Sequence, residues 1–174
     1  MNTVQNFIID SDVFIRAKNS YYAFSICPGF WESIIHLFQL GRVYSLDRVR
    51  QELLAGRDDD DLVLWVHNHV PNDFFLMTWD QDVVDVYTEI MLWVQRNPQY
   101  QDNARAKFAT SADGWLVAYA RVYGLSVVTQ EQPRPESRND IKLPDVCNQF
   151  GVLFQDTFSM LKVLGVSYGY AKGN

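Results

Sequence analysis

The stretch Phe7-Ile8-Ile9-Asp10-Ser11-Asp12-Val13-Phe14-Ile15 contains an apolar run that stops at two carboxylates. The run from Val4 to Ile9 is short and rich in β-branched residues, which favours a buried β-strand over a helix. In open parallel sheets, ligands bind beyond the carboxyl ends of the strands. The stretch therefore predicts a strand that delivers Asp10 and Asp12 to the edge of a sheet where a functional site forms.

Strand and helix patterns alternate along the rest of the chain. Further strands are predicted at 42–45, 74–78, 126–129 and 152–154, and helices at 28–40, 47–55, 80–96, 111–123, 144–150 and 157–164. One more helix is predicted to begin at the acidic run 58–61 and to carry Leu62, Trp65 and Val66. This alternation predicts an α/β fold, a three-layer α/β/α sandwich around a mostly parallel sheet. The 174 residues suffice for one domain. We expect that domain to span 1–166, with 167–174 as a loose C-terminal tail.

Composition excludes several classes of protein. Hydrophobic residues make up 48% and charged residues 21% of the chain, as in ordinary folded proteins. No stretch approaches the ~18 apolar residues of a membrane span, and the polar residues 1–6 do not resemble a signal peptide. We therefore expect a cytoplasmic protein that does not enter a membrane. Cys27 and Cys147 stand far from each other and from any histidine, so no zinc motif is present.

The net charge of −6 bears on nucleic-acid binding. A protein that holds nucleic acid through phosphate contacts alone is usually basic. A carboxylate cluster that binds divalent cations would itself account for much of the negative charge. The charge thus predicts local or modest affinity for RNA, or a basic partner that covers the acidic surface.

Two carboxylates fall on the apolar faces of predicted helices. Asp113 lies three and four residues before Leu116 and Val117, and Glu52 lies three residues after Val49. An inward carboxylate needs a partner, because burying a lone charge is costly. Several such groups that converge without a Lys or Arg nearby in sequence favour a shared hard cation, Mg²⁺ or Mn²⁺.

Each acidic residue also has a simpler interpretation. Asp113 could serve only the helix dipole, and Glu52 could pair with Arg48 one turn earlier. Glu131 could be a solvated loop residue and Asp145 an ordinary first-turn acid. The prediction of a cation site therefore depends on the set and its order along the chain.

Four short segments together resemble the motifs of PIN-domain nucleases. The opening stretch resembles the first motif, with Ser11 where Thr is usual and Asp12 where Asn is usual. The other segments are Val49-Arg50-Gln51-Glu52-Leu53, the run Ser111-Ala112-Asp113-Gly114-Trp115-Leu116-Val117-Ala118-Tyr119-Ala120, and Val127-Val128-Thr129-Gln130-Glu131. The last departs from the family in having Glu131 where Asp is usual.

The resemblance implies a PIN-like fold and Mg²⁺- or Mn²⁺-dependent hydrolysis of an RNA phosphodiester bond. Asp10, Glu52 and Asp113 would be metal ligands, and Glu131 would complete the catalytic set. The metal would activate a water molecule and stabilise charge on the phosphate. Asp145 competes with Glu131 for the fourth position.

Three more segments, 17–22, 27–31 and 142–147, resemble a PIN-like subfamily of bacterial proteins whose members tend to be encoded beside helix-turn-helix regulators. This resemblance implies the toxin of a toxin–antitoxin pair, similar to VapC, with RNA as substrate, a helix-turn-helix antitoxin as partner and a possible homodimer. Arg16 and Lys18 are candidates for contacts with the RNA backbone, or simply solvated cations.

The best rival function also begins at Asp10. Asp-x-Asp-x-Val at a strand end resembles haloacid-dehalogenase phosphatases, in which Asp10 would attack phosphate, Asp12 would be the acid/base and Thr129 would serve the second motif. These enzymes also need a Lys and a later pair of acids, and Lys142 and Asp145 are too close together for that role. A phosphatase would not depend on a distant inward Glu.

A second rival is a degenerate PIN-like module that binds without catalysis. The departures from the family at Asp12 and Glu131 keep this alternative open. A nucleotide-binding loop is not among the alternatives, because the sequence has no G-x-G-x-x-G or Walker motif.

Overall fold

Five parallel strands form the central sheet of the computed structural model, which describes residues 5–170. The strands lie in the order β3-β2-β1-β4-β5. Their bounds are β1 Phe7–Ile9, β2 Val43–Leu46, β3 Phe75–Leu76, β4 Ser126–Val128 and β5 Phe154–Gln155. Strand order reverses between β1 and β4, which are direct neighbours. Such a switch point opens a crevice at the carboxyl ends of the two strands.

The helices flank this sheet. They are α1 Ser11–Asn19, α2 Pro28–Gln39, α3 Asp47–Leu53, α4 Asp61–Asn68, α5 Gln81–Arg96, α6 Asp102–Thr110, α7 Asp113–Tyr123, α8 Leu143–Phe150 and α9 Thr157–Val163, with a 3-10 turn at Asn72–Phe74. The predicted fold class, a three-layer α/β/α sandwich, is confirmed, and the sheet is parallel throughout.

Two helices were not predicted, and a third begins later than expected. In α1 the buried Val13, Phe14 and Ala17 recur at helical spacing directly after the strand, without an intervening loop. α6 is mostly polar, and only two of its residues are buried. The predicted helix at 111–123 starts at Asp113, because 111–112 form the bend that joins α6 to α7.

The core is built around the central strand. All three residues of β1 are completely buried, as their uninterrupted apolar run predicts.

Near the C-terminus, the Tyr168 hydroxyl lies 2.7 Å from Ser33 Oγ. Residues 1–4 and 171–174 lie outside the described residues, including Val4 of the predicted strand and the end of the predicted tail. Among residues 5–170, every helix is too short or too polar to cross a bilayer.

Candidate metal-binding and nuclease site

Asp10 occupies the switch point between β1 and β4. Its backbone N–H donates to Val128 O at 3.0 Å, which extends the pairing of the two strands by one residue. The side chain is only 4% exposed, and its Oδ2 accepts a hydrogen bond of 3.0 Å from Thr129 Oγ1. A carboxylate is therefore held at the end of the most buried strand, where the sheet topology places a ligand crevice.

Asp113 approaches the same place from the first turn of α7. Burial, followed by the charges of Glu131 and Glu52, raises the pKa of the Asp113 carboxyl to about 7. Burial, followed by the charges of Asp113 and Asp12, raises the pKa of Asp10 well above its usual range. The charge of Asp113 thus disfavours ionisation of Asp10, while Glu131 and Glu52 disfavour ionisation of Asp113, and acids clustered in this way usually share a proton or a cation.

Glu52 is held by two donors from different elements. Its Oε2 accepts from Ser11 Oγ at 2.6 Å, and its Oε1 accepts from the backbone N–H of Ala112 at 2.8 Å. These contacts tie α3 to the starts of α1 and α7, beside Asp10 and Asp113. The inward orientation predicted for Glu52 is confirmed.

The alternative pairing of Glu52 with Arg48 is not observed. The Arg48 guanidinium lies 5.0 Å above the centre of the Trp115 ring, and its Nε is 3.3 Å from Thr78 Oγ1. A cation over an indole face is attracted by the ring's quadrupole. Arg48 is thereby directed away from Glu52, whose charge remains at the acidic edge.

Glu131 is held differently from the other acids. Its Oε2 accepts from the backbone N–H of Leu143 at 2.9 Å, and its Oε1 lies 3.4 Å from Lys142 Nζ. Lys142 also contacts Asp140. Asp113 and Glu131 nevertheless line one cavity of about 40 Å³. Glu131 therefore faces Asp113 while carrying a cationic neighbour.

Asp145, the competing fourth acid, faces elsewhere. Its Oδ2 accepts from the backbone N–H of Arg134 at 2.9 Å, and it lines a separate cavity with Trp93 and Tyr100. The charge of Glu131, by contrast, is the largest electrostatic influence on the pKa of Asp113. The geometry therefore favours Glu131 over Asp145 as the acid nearest the site.

Asp12 projects from the first turn of α1 toward β4. Its two carboxylate oxygens accept from the backbone N–H of Gln130 at 3.1 and 3.2 Å. Arg16, one turn later, is 3.7 Å from Asp12 and 60% exposed. The other candidate for RNA contact, Lys18, pairs with Asp60 at 2.5 Å. Only Arg16 of these two cations lies next to the acidic edge.

The carboxylate oxygens in this region suit a hard cation that keeps part of its hydration shell. Within residues 5–170 no group of three His, Cys, Asp or Glu side chains is arranged to hold one ion. Glu52 and Glu131 each accept a hydrogen bond from a backbone N–H, whereas burial and neighbouring carboxylates raise the pKa of both Asp10 and Asp113. Mg²⁺ is commonly bound through one or two carboxylates and several waters. The Asp10–Asp113 pair therefore fits a cation bound through two carboxylates and several waters. A cage in which four carboxylates surround the ion fits the geometry less well.

Ser11 and Lys142 contact acidic side chains of the site. The spacing of residues in the sequence had not predicted that Ser11 would hold Glu52 or that Lys142 would pair with Glu131. Ser11 is 9% exposed and its Oγ, besides donating to Glu52, lies 3.4 Å from Asp10 Oδ1. The signals for it in the sequence were its position directly after Asp10 and its place in the first motif, where Thr is usual. Lys142 pairs with Glu131 and Asp140.

Replacing Ser11 with Ala is expected to destabilise the fold modestly. The hydroxyl's bond to Glu52 is charge-assisted and partly buried, and losing it costs about 2 kcal/mol. The melting temperature should fall by roughly 4–8 °C in thermal denaturation. Ser20→Ala is the control, since Ser20 Oγ bonds only to Arg16 O at an exposed turn. An equal shift in both variants would contradict a role for Ser11 in holding Glu52.

Comparison with known proteins agrees with this architecture. A family model described as "Domain of unknown function (DUF4411)" matches residues 7–168. A solved structure described as FitAB bound to an IR36 DNA fragment is similar with a TM-score of 0.50 and 14% identity, covering 86% of this chain and 94% of that one. FitAcB from Neisseria gonorrhoeae gives 0.49 and 14%, with coverage of 85% and 95%. The FitAB likeness shows a shared fold. No curated protein matches the chain.

Proposed function

The chain belongs to the family described as Domain of unknown function (DUF4411), and we propose that it is a metal-dependent ribonuclease. The observation that carries the proposal is the meeting of Asp10 and Asp113 at the β1–β4 switch point. The charge of Asp113 raises the pKa of Asp10, burial and further carboxylates raise the pKa of Asp113, and neither acid has a Lys or Arg partner among the described residues. A divalent cation would relieve this repulsion.

The chain's own groups would divide the work of hydrolysis. Asp10 and Asp113 would hold Mg²⁺ or Mn²⁺, Thr129 Oγ1 would orient the Asp10 carboxylate and Ser11 Oγ would orient Glu52, each through a hydrogen bond already present. Glu52 and Glu131 would bind waters around the ion. When bound, the ion would supply a more acidic water as nucleophile and neutralise charge on the phosphate.

We propose further that this ribonuclease is the toxin of a toxin–antitoxin pair, with a DNA-binding antitoxin as partner. The sequence resemblance to a PIN-like subfamily encoded beside helix-turn-helix regulators supports this role. The fold neighbour FitAB is described as bound to a DNA fragment, which is in keeping with an antitoxin that binds DNA. A partner with a basic surface would also complement the net charge of −6.

Metal-dependent cleavage of RNA is the direct test. The purified protein should degrade bulk RNA with Mn²⁺ or Mg²⁺, and an excess of chelator should stop the reaction completely, because the attacking water would lose its activation. Gel electrophoresis of RNA incubated with and without metal measures this. Cleavage that persists in chelator would contradict the proposal.

The two rival functions give different results in the same preparation. A phosphatase should hydrolyse p-nitrophenyl phosphate, and Glu52→Gln should leave that activity unchanged. The nuclease should not hydrolyse p-nitrophenyl phosphate, and Glu52→Gln should abolish its cleavage of RNA. A degenerate binding module should show no rise in melting temperature with Mn²⁺. For the nuclease, a metal that binds only the folded state must raise it.

A further inference from the structure

A small aromatic pocket lies directly beside the acidic site. It measures about 150 Å³ and is walled by α1, the turn after it and the first turn of α9. Tyr21, Tyr22 and Phe158 contribute rings, while Arg16 and Gln130 contribute polar groups. The volume is well below the ~300–1,000 Å³ of typical pockets for drug-sized molecules. It therefore suits a single flat ring system.

Gln130 connects this pocket to the acidic edge. The backbone N–H of Gln130 donates to Asp12, and the Gln130 side-chain Nε2 donates to Thr157 Oγ1 at 2.6 Å. The residue before Gln130 is Thr129, which donates to Asp10. The pocket is thus one residue removed from a proposed metal ligand. A group bound there would lie beside a phosphate at the metal.

The aromatic walls are partly exposed and held in place. Tyr22 stacks on Phe30 with ring centres 4.4 Å apart, and its ring is 6.1 Å from Phe158. Phe158 is 53% exposed and Tyr21 is 79% exposed. Large apolar rings left in water beside a polar site are typical of stacking platforms for unpaired bases. Because stacking on Phe30 already fixes the Tyr22 ring, less side-chain entropy is lost when a ligand binds.

Arg16 gives the pocket a cation at its rim. Within residues 5–170 its single ion pair is the 3.7 Å contact with Asp12, and its side chain is 60% exposed. Arginine binds phosphate oxygens through its planar set of donors and also stacks on bases. Together with the Gln130 amide, it supplies the chemistry that recognises a nucleotide rather than an apolar ligand.

We propose that this base pocket holds one unstacked nucleobase of a single-stranded RNA, with Arg16 on an adjoining phosphate. The inference rests on the proposed ribonuclease function and specifies its substrate class. The base would stack on the exposed ring of Phe158, beside Tyr22, and contact the Gln130 amide. A duplex cannot occupy the pocket, because its bases remain stacked inside the helix.

Binding measurements in an Asp10→Asn background, where the RNA stays intact, test the base pocket. Fluorescence anisotropy would compare a labelled single-stranded RNA, its duplex and an abasic strand of the same length. Phe158→Ala should weaken binding of the single strand roughly tenfold or more, the usual effect of removing one stacking ring. Binding of the duplex and the abasic strand should not change.

Val163→Ala is the matched control, because Val163 lies on the same helix with the same 53% exposure and does not line the pocket. Arg16→Gln should weaken binding of all single strands, with or without bases. Arg121→Gln, at a distant exposed arginine, should have no effect. Circular dichroism melting would establish that all variants are folded.

The outcomes separate this inference from the proposed function. Equal binding by the Phe158→Ala and Val163→Ala variants, or an equal loss with duplex and single strand, would overturn the base pocket. A chain that binds single-stranded RNA through Phe158 but never cleaves it with metal would retain the base pocket and refute the ribonuclease.

Discussion

Asp10→Asn is expected to reduce metal-dependent RNA cleavage by on the order of a thousandfold. The substitution keeps the size of the side chain and its contact with Thr129, but it removes the charge that faces Asp113. Metal-ion catalysis contributes several kcal/mol of transition-state stabilisation, and each 1.36 kcal/mol is about tenfold in rate. Initial rates on a labelled RNA in Mn²⁺ would measure the loss.

Asp73→Asn is the matched control for that experiment. Asp73 is an exposed acid in the 3-10 turn, so its replacement changes net charge equally without touching the site. Both variants should be purified identically, which also controls for contaminating ribonucleases. Equal cleavage by Asp10→Asn and the unaltered protein would remove Asp10 from the reaction and with it the central part of the proposal.

The sequence predicted the sheet and the position of Asp10 because both depend on local patterns. An apolar run that ends in a carboxylate indicates where a buried strand stops, and the alternation of elements gives the parallel sheet. The switch point then follows from topology, which brings Thr129 beside Asp10. Asp113 and Glu52 could be assigned inward faces from helical spacing alone.

What the sequence could not supply are contacts between residues far apart in the chain. Whether Glu52 pairs with Arg48 depends on Trp115, which lies on α7 and attracts the guanidinium. The hydrogen bond from Ser11 to Glu52 spans 41 residues, and no local pattern reports it. The choice between Glu131 and Asp145 likewise required knowing where each side chain packs.

Asp113→Asn is expected to have opposite effects on stability and activity. In the metal-free protein, burial and the nearby carboxylates make the ionised Asp113 unfavourable, as its pKa of about 7 indicates. A neutral amide of the same shape removes that cost, so the variant should melt at a higher temperature than the unaltered chain. With Mn²⁺ it should lose both RNA cleavage and the metal-induced rise in melting temperature.

The pH dependence follows from the direction of the pKa shift. A raised folded-state pKa means that the protonated acid stabilises the fold at low pH and that this stabilisation is lost as pH rises from 3.8 to about 7. Asn does not titrate, so the advantage of the variant should be larger at about pH 8 than at about pH 5. Thermal melts in chelator at the two pH values measure the difference.

Asp82→Asn distinguishes this explanation from a helix-dipole effect. Asp82 is also a first-turn acid, in α5, but it is exposed to solvent. If Asp113 merely served the dipole, both substitutions would lower stability by roughly 0.3–1 kcal/mol. Repulsion among the buried carboxylates instead predicts opposite signs: Asp82→Asn is slightly destabilising, and Asp113→Asn is stabilising without metal. A lower melting temperature for Asp113→Asn in chelator would mean that the carboxylate is satisfied by the protein alone and that the acidic site does not require a cation.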